Sequence, residues 1–122
     1  MYQMGLKKLW NQFCDKYMKD TVQNIDTSRF PEDEIMRYRI VFSGVVQGVG
    51  FRYETWAIAQ KLELTGFVEN LPNGDVHAEI QGPRNKIMYL IECLESIPRI
   101  QIADMQMQEM EQKEELYFEI AN

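Results

Sequence analysis

Three glycines, Gly44, Gly48 and Gly50, fall within seven residues in the stretch GVVQGVGFR, which Arg52 closes. Glycine accepts positive φ and close approach, so such a turn can point successive backbone N–H groups into one concavity. A helical pattern follows directly, and its first turn would present further N–H groups and a positive dipole end to the same place. Arg52 adds a planar fork of donors. Together these residues describe a cradle for a small anion such as phosphate. The stretch matches neither GxGxxG nor GxxxxGK[ST], and no lysine follows the glycines, so neither common nucleotide fingerprint is present. The plainer alternative is a glycine-rich turn from strand to helix with a surface arginine.

Other residues with chemistry to offer are fewer. Asn70 carries a carboxamide that both donates and accepts. His77 is the single histidine, and strand alternation puts it on a charged face where solvent is a sufficient partner. Tyr53 and Trp56 flank the glycine stretch, where they would line a pocket, although burial is the expectation for Trp56. Cys14 and Cys93 match no metal or redox spacing, which leaves two reduced thiols in a reducing compartment as the expectation and no metal site.

The elements that must position these groups follow from periodicity. Leu6, Leu9, Trp10, Phe13 and Tyr17 recur at helical spacing over residues 5–20, opposite a lysine-rich face. Packing on its own domain or on a second copy is the expected use of this helix, rather than a membrane surface. Residues 21–34 mix turn formers, Pro31 and acidic side chains and read as a linker. From Met36, Tyr38, Ile40 and Phe42 alternate with Arg37, Arg39 and Val41, a half-buried strand that delivers the chain into the glycine turn.

Thr55, Trp56, Ala59 and Leu62 then continue a helix to about residue 64, with Thr65-Gly66 as its stop. Two short strands, 67–71 and 75–81, flank Pro72-Asn73-Gly74, a hairpin signal. Gly82-Pro83 opens a second helix with a buried stripe of Ile87, Leu90, Ile91, Leu94 and Ile97, and Pro98 ends it. Residues 99–110 read as a strand whose apolar phase slips at Ala103-Asp104, which predicts a bulge. Leu116, Phe118 and Ile120 make a last strand. The order β-α-β-β-α-β plus one strand predicts an α+β, ferredoxin-like sandwich, an antiparallel sheet with two helices on one face and an N-terminal helical extension. The expected division is residues 1–34 and 35–122.

Composition narrows the partners. The chain has 122 residues, 45% hydrophobic and 26% charged, enough for one modest core. Its net charge is −6; the first 34 residues hold 5 basic and 6 acidic side chains, leaving 8 and 13 and about −5 for residues 35–122. A nucleic acid needs a positive field over many contacts, so it is not an expected partner. The N-terminal apolar residues are interrupted by lysines, and no stretch reaches membrane-spanning length. The expectation is a cytoplasmic protein with no membrane association, a monomer unless the N-terminal helix brings copies together.

Two stretches, GVVQGVGFR and GFVENLPNGDVHAEIQG, closely resemble the two signature motifs of the acylphosphatases. Gly44, Val46, Gln47, Gly48, Val49, Phe51 and Arg52 occupy the first, and Gly66, Asn70, Gly74, Val76 and Gly82 hold the spacing of the second. The resemblance runs over roughly residues 36–121 and leaves the first 35 without a counterpart. It implies hydrolysis of a carboxyl–phosphate anhydride without metal or cofactor. It also implies that Arg52 and the N–H groups of Gln47, Gly48, Val49, Gly50, Phe51 and Arg52 hold the phosphoryl oxygens while Asn70 positions water. Glu69 departs from the family pattern, and alternation predicts that it points away from the cradle. Two other readings use the same element order. One is a non-catalytic acyl-phosphate or carbamoyl-phosphate binding module; the other is an RNA-binding domain, which would need an aromatic strand motif and a basic surface that the sequence lacks.

Overall fold

The structure is a computed structural model that describes residues 30–122. The helix expected over residues 5–20 and the linker residues 21–29 lie outside the described residues. Five strands and two helices follow in the order β1 (Ile35–Val45), α1 (Phe51–Lys61), β2 (Thr65–Asn70), β3 (Val76–Pro83), α2 (Arg84–Ser96), β4 (Gln101–Met110) and β5 (Phe118–Ile120). The sheet order is β4-β1-β3-β2-β5. The four strands of the βαββαβ core pair antiparallel, as expected, but β5 runs parallel to β2, so the whole sheet is mixed.

Alternation places Ile40 and Phe42 of β1, Val68 of β2 and Val76, Ala78 and Ile80 of β3 on one face, all fully buried. Both helices lay their apolar stripes on that face. Ile58 and Leu62 come from α1 and its end; the expected stripe of Ile87, Leu90, Ile91, Leu94 and Ile97 comes from α2, and all join one core. The predicted bulge is present, because Ser43 faces Asp104 while Gly44 faces Ile102, leaving Ala103 as the extra residue. Gly44 is needed there and not in the anion cradle: with φ of 126°, an added Cβ would run into Gln101 O and Ala103 N.

Several expectations change. Helix α1 stops at Lys61 and turns through Glu63, which takes φ of 59°, so Thr65-Gly66 is not the stop. Gly66 instead lies inside β2, where a Cβ would strike the backbone carbonyl of Glu79. Leu116 is 83% exposed and precedes β5 rather than belonging to it. Residues 30–34 pack on α2. Asp33 Oδ2 accepts from Asn85 N at 3.0 Å, filling an N-terminal acceptor role that Pro83 cannot, and Phe30 meets Tyr89 edge to face at 5.2 Å.

The largest surprise is on the other face of the sheet. Arg37 alternates away from the core, yet it is 1% exposed. Its Nε and Nη2 donate to Glu79 Oε1 at 3.0 and 2.8 Å, and its Nη1 donates to Glu115 and, at 3.2 Å, to Gln81 Oε1. Lys113 Nζ lies 3.4 Å from Glu79 Oε1, and Gln81 trades two bonds of 2.8 Å with the Lys113 backbone. The connection between β4 and β5 is thereby strapped over the sheet. Burial pushes the Glu79 carboxyl up, but the bonds and charges of Arg37 and Lys113 outweigh it and hold the group below the usual carboxylate range.

Candidate active site

The turn after β1 is anchored at both ends by apolar side chains. Val46 is fully buried, and Phe51 is 2% exposed and stacks obliquely on Phe42 with ring centroids 4.9 Å apart. Between these anchors the chain reverses through Gly48 and Gly50, at φ of 74° and 78°. At Gly48 the requirement is purely conformational, since a Cβ there would meet nothing within 4 Å. At Gly50 a Cβ would also press on Arg99 Nη2 at 3.3 Å.

Gly50 is the N-cap of α1, and its carbonyl accepts from Glu54 N at 3.0 Å. The N–H groups of Phe51, Arg52 and Tyr53 precede any intrahelical acceptor, and no side chain among the described residues caps them. Bonds to residues outside the turn fix its shape. Gln47 Nε2 donates to Leu71 O and Asp75 O, both at 2.8 Å, tying the turn to the β2–β3 connection. Arg99 Nε donates to Val49 O at 2.7 Å, while its Nη2 lies 3.3 Å from Glu54 Oε2. With the Gln47 side chain and the Val49 carbonyl committed in this way, these two residues have only backbone N–H groups to offer an anion.

Topology brings Asn70 to the same place. Both β1 and β2 run antiparallel to β3, so their C-terminal ends lie at one end of the sheet, and Val76 of β3 faces Phe42 on one side and Asn70 on the other. Asn70 shares the helix-side face with Val68. Glu69 points to the opposite face, its Oε2 2.8 Å from His77 Nδ1. His77 therefore has a carboxylate partner and an edge contact with Phe67 rather than solvent alone.

A cleft of about 300 Å³ is lined by Gly48, Gly50, Phe51, Arg52 and Asn70, with Tyr53 and Ile120 on its apolar side. Arg52 Nη1 donates at 3.2 Å to Asn122 Oδ1, a neutral acceptor. The side-chain oxygen of Asn70 is buried and has no hydrogen-bond partner among the described residues. A buried acceptor left unpaired this way calls for an explanation, and a turn of the carboxamide toward the adjoining cleft would give it a partner. A larger groove of about 510 Å³ lies beside Phe67 and Leu116, but Glu69, Glu115 and Glu119 line it and would repel an anion.

The family model described as acylphosphatase matches residues 38–120, from the first strand to the last. The chain belongs to the acylphosphatase family. A relative named acylphosphatase from Acaryochloris marina is 48% identical over 64 residues, covering 52% of this chain and 69% of that one. The crystal structure of acylphosphatase from Bacillus subtilis superposes with a TM-score of 0.66 at 34% identity, covering 71% of this chain and 99% of the other. A full-length HypF in a phosphate- and nucleotide-bound form superposes with a TM-score of 0.65 at 30% identity, over 75% of this chain and only 12% of HypF.

Within this acylphosphatase-family chain, Arg52, Asn70, Gly48, Gly50 and Phe51 meet at one cleft, while the side chains of Gln47 and Val49 do not line it. Sequence reasoning missed Arg99 and Asn122. Each touches the cleft or its turn from 50 or more positions away in the chain, and no local pattern marks such a contact.

Proposed function

We propose that this chain hydrolyses the carboxyl–phosphate anhydride of an acyl phosphate to a carboxylate and inorganic phosphate. In this reading Arg52 and the N–H groups of residues 47–52 hold the phosphoryl oxygens, and the Asn70 carboxamide orients water toward phosphorus. The observation that carries it is the convergence of Arg52, Asn70 and the uncapped first turn of α1 on one cleft. With the Asn70 carboxamide turned toward the cleft, water donates to its oxygen and attacks phosphorus in line with the departing carboxylate. The bond between phosphorus and the acyl oxygen breaks, the carboxylate keeps its electron pair, and the proton of the water passes to phosphate or solvent. Charge in a loose transition state sits on the peripheral oxygens, so fixed donors and positioning supply most of the catalysis. A carboxylate leaves without being protonated, so the site needs no general acid.

Tyr53, 61% exposed, and Ile120, 41% exposed, give the acyl group an apolar wall. The reading takes no metal or cofactor and no nucleic acid, and it places the protein in the cytoplasm as a monomer. Among the described residues no helix is long and apolar enough to cross a membrane. Residues 35–122 are the catalytic unit, and residues 1–34 lie outside the chemistry.

Benzoyl phosphate hydrolysis with and without a metal chelator tests the reading, with equal turnover expected in both. The likeness to a short part of HypF supports a second reading, a module that binds the phosphorylated ligand without cleaving it. Tight binding of inorganic phosphate with no release of benzoate would favour that reading over hydrolysis.

A further inference from the structure

Asn122 is exposed and falls outside the residues matched by the family model, yet its carboxamide is the only side chain among the described residues with a hydrogen bond to both Arg52 and Asn70. Its Nδ2 donates to Asn70 O at 2.9 Å, and its Oδ1 accepts from Asn70 N at 2.9 Å. The same oxygen accepts from Arg52 Nη1 at 3.2 Å. Chemistry fixes the orientation of the amide, because turning it over would set its NH₂ against two donors and its oxygen against a carbonyl. The ladder between β5 and β2 explains how it arrives there. Ala121 N donates to Val68 O at 2.9 Å, and the Asn122 side chain then takes both backbone groups of the next alternate residue, Asn70.

We infer that Asn122 is a positioning residue that sets the guanidinium of Arg52 and the backbone of Asn70 in register with each other. The inference rests on the hydrolytic reading above. Two features of the carboxamide suit the task. Both lone pairs of Oδ1 are used, one by each residue, so a shift of either is felt by the other. The amide is also neutral. It orients Arg52 without cancelling its charge, whereas a carboxylate at the same position would compete with the phosphoryl group for the guanidinium.

Two variants separate this role from simple support of the fold. Asn122→Asp keeps the size of the side chain and an acceptor for Arg52 and Asn70 N, loses the donor to Asn70 O, and adds a charge beside Arg52; it weakens inorganic phosphate binding by about tenfold or more in calorimetry. Asn122→Leu frees both partners and lowers kcat for benzoyl phosphate by about tenfold, as small misplacements of catalytic groups do. Placed on top of Asn70→Ala, the same Leu substitution costs clearly less in kcat than in the parent, because one of the two side chains it positions is gone while Arg52 remains. Thermal melts of all variants report folding separately.

Parent-like phosphate binding in Asn122→Asp, or a loss in kcat that is undiminished in the Asn70→Ala background, overturns the assignment. A parent protein that binds phosphate but releases no benzoate overturns the hydrolytic reading instead. An active parent with unaffected Asn122 variants overturns this inference alone.

Discussion

Arg37 and Arg52 carry the same side chain on the same small domain and are put to opposite uses. Arg37 is fully buried on the open face of the sheet, bonded to Glu79 and Glu115. Arg52 is half-buried at the end of the sheet, with the neutral oxygen of Asn122 as its acceptor. A carboxylate at about 4 Å is worth roughly 4 kcal/mol at an effective dielectric near 20, and an incoming anion would have to displace it. A neutral hydrogen bond contributes only about 0.5–1.5 kcal/mol net. The difference teaches that availability, more than the presence of a positive charge, distinguishes an anion site from a structural ion pair. Arg37 holds the β4–β5 connection on the sheet, and Arg52 is held ready for a ligand.

Exchanging these roles by mutation should give opposite phenotypes. Arg52→Ala removes two or more charge-assisted bonds of about 1.5–3 kcal/mol each, so kcat/KM for benzoyl phosphate falls by roughly 10² to 10⁴-fold while urea unfolding barely moves. Arg52→Lys does not restore the activity, because an ammonium lacks the planar fork. A lysine variant within tenfold of the parent would erase the distinction drawn for Arg52. Arg37→Ala leaves Glu79 buried without its main partner, at a cost of about 3–5 kcal/mol in urea unfolding, with phosphate affinity of the folded protein unchanged. Replacing both, as Arg37→Met with Glu79→Leu, should recover most of that stability, since an apolar pair of similar size needs no desolvation.

The two arginines also show how far the sequence could be read. Alternation through Tyr38, Ile40 and Phe42, the Ile87–Ile97 stripe and the slipped phase at Ala103 are local signals, and the corresponding elements are present. The same alternation put Arg37 on the polar side but could not say that the side would be covered. Its partners Glu79 and Glu115 lie 42 and 78 positions further along. The parallel pairing of β5 with β2 and the left-handed Glu63 likewise depend on where the chain is drawn by tertiary contacts. At the site, glycine spacing marked the turn that ends in Arg52, and the role expected of Asn70 came from the resemblance to the second acylphosphatase motif. Asn122 and Arg99 were not, since each acts through long-range bonds with no pattern around it.

A smaller effect sharpens the contrast between the two faces of the sheet at neighbouring residues. Asn70→Ala should lower kcat by about a hundredfold, the scale for one positioned transition-state group, while inorganic phosphate binds within about threefold of the parent. Glu69→Gln, one residue earlier and facing His77 on the opposite side, should change kcat by less than about twofold. Steady-state kinetics with phosphate as inhibitor reads both. Equal losses in the two variants would mean that the cleft is not the place where the chemistry occurs.

The smallest effect appears with acid and belongs to the open face alone. Glu79 has a folded pKa below its unfolded value of about 4.3, so its ion pair contributes stability above that value and loses it as pH falls through the folded pKa. Arg37 stays charged throughout, so the loss follows the carboxyl. The stability of the parent over Glu79→Gln, measured by urea unfolding, should be constant near neutral pH and shrink progressively below about pH 4. A difference between parent and Glu79→Gln that persists undiminished in strong acid would show that the buried arginine draws its stability from packing and not from the carboxylate beneath it.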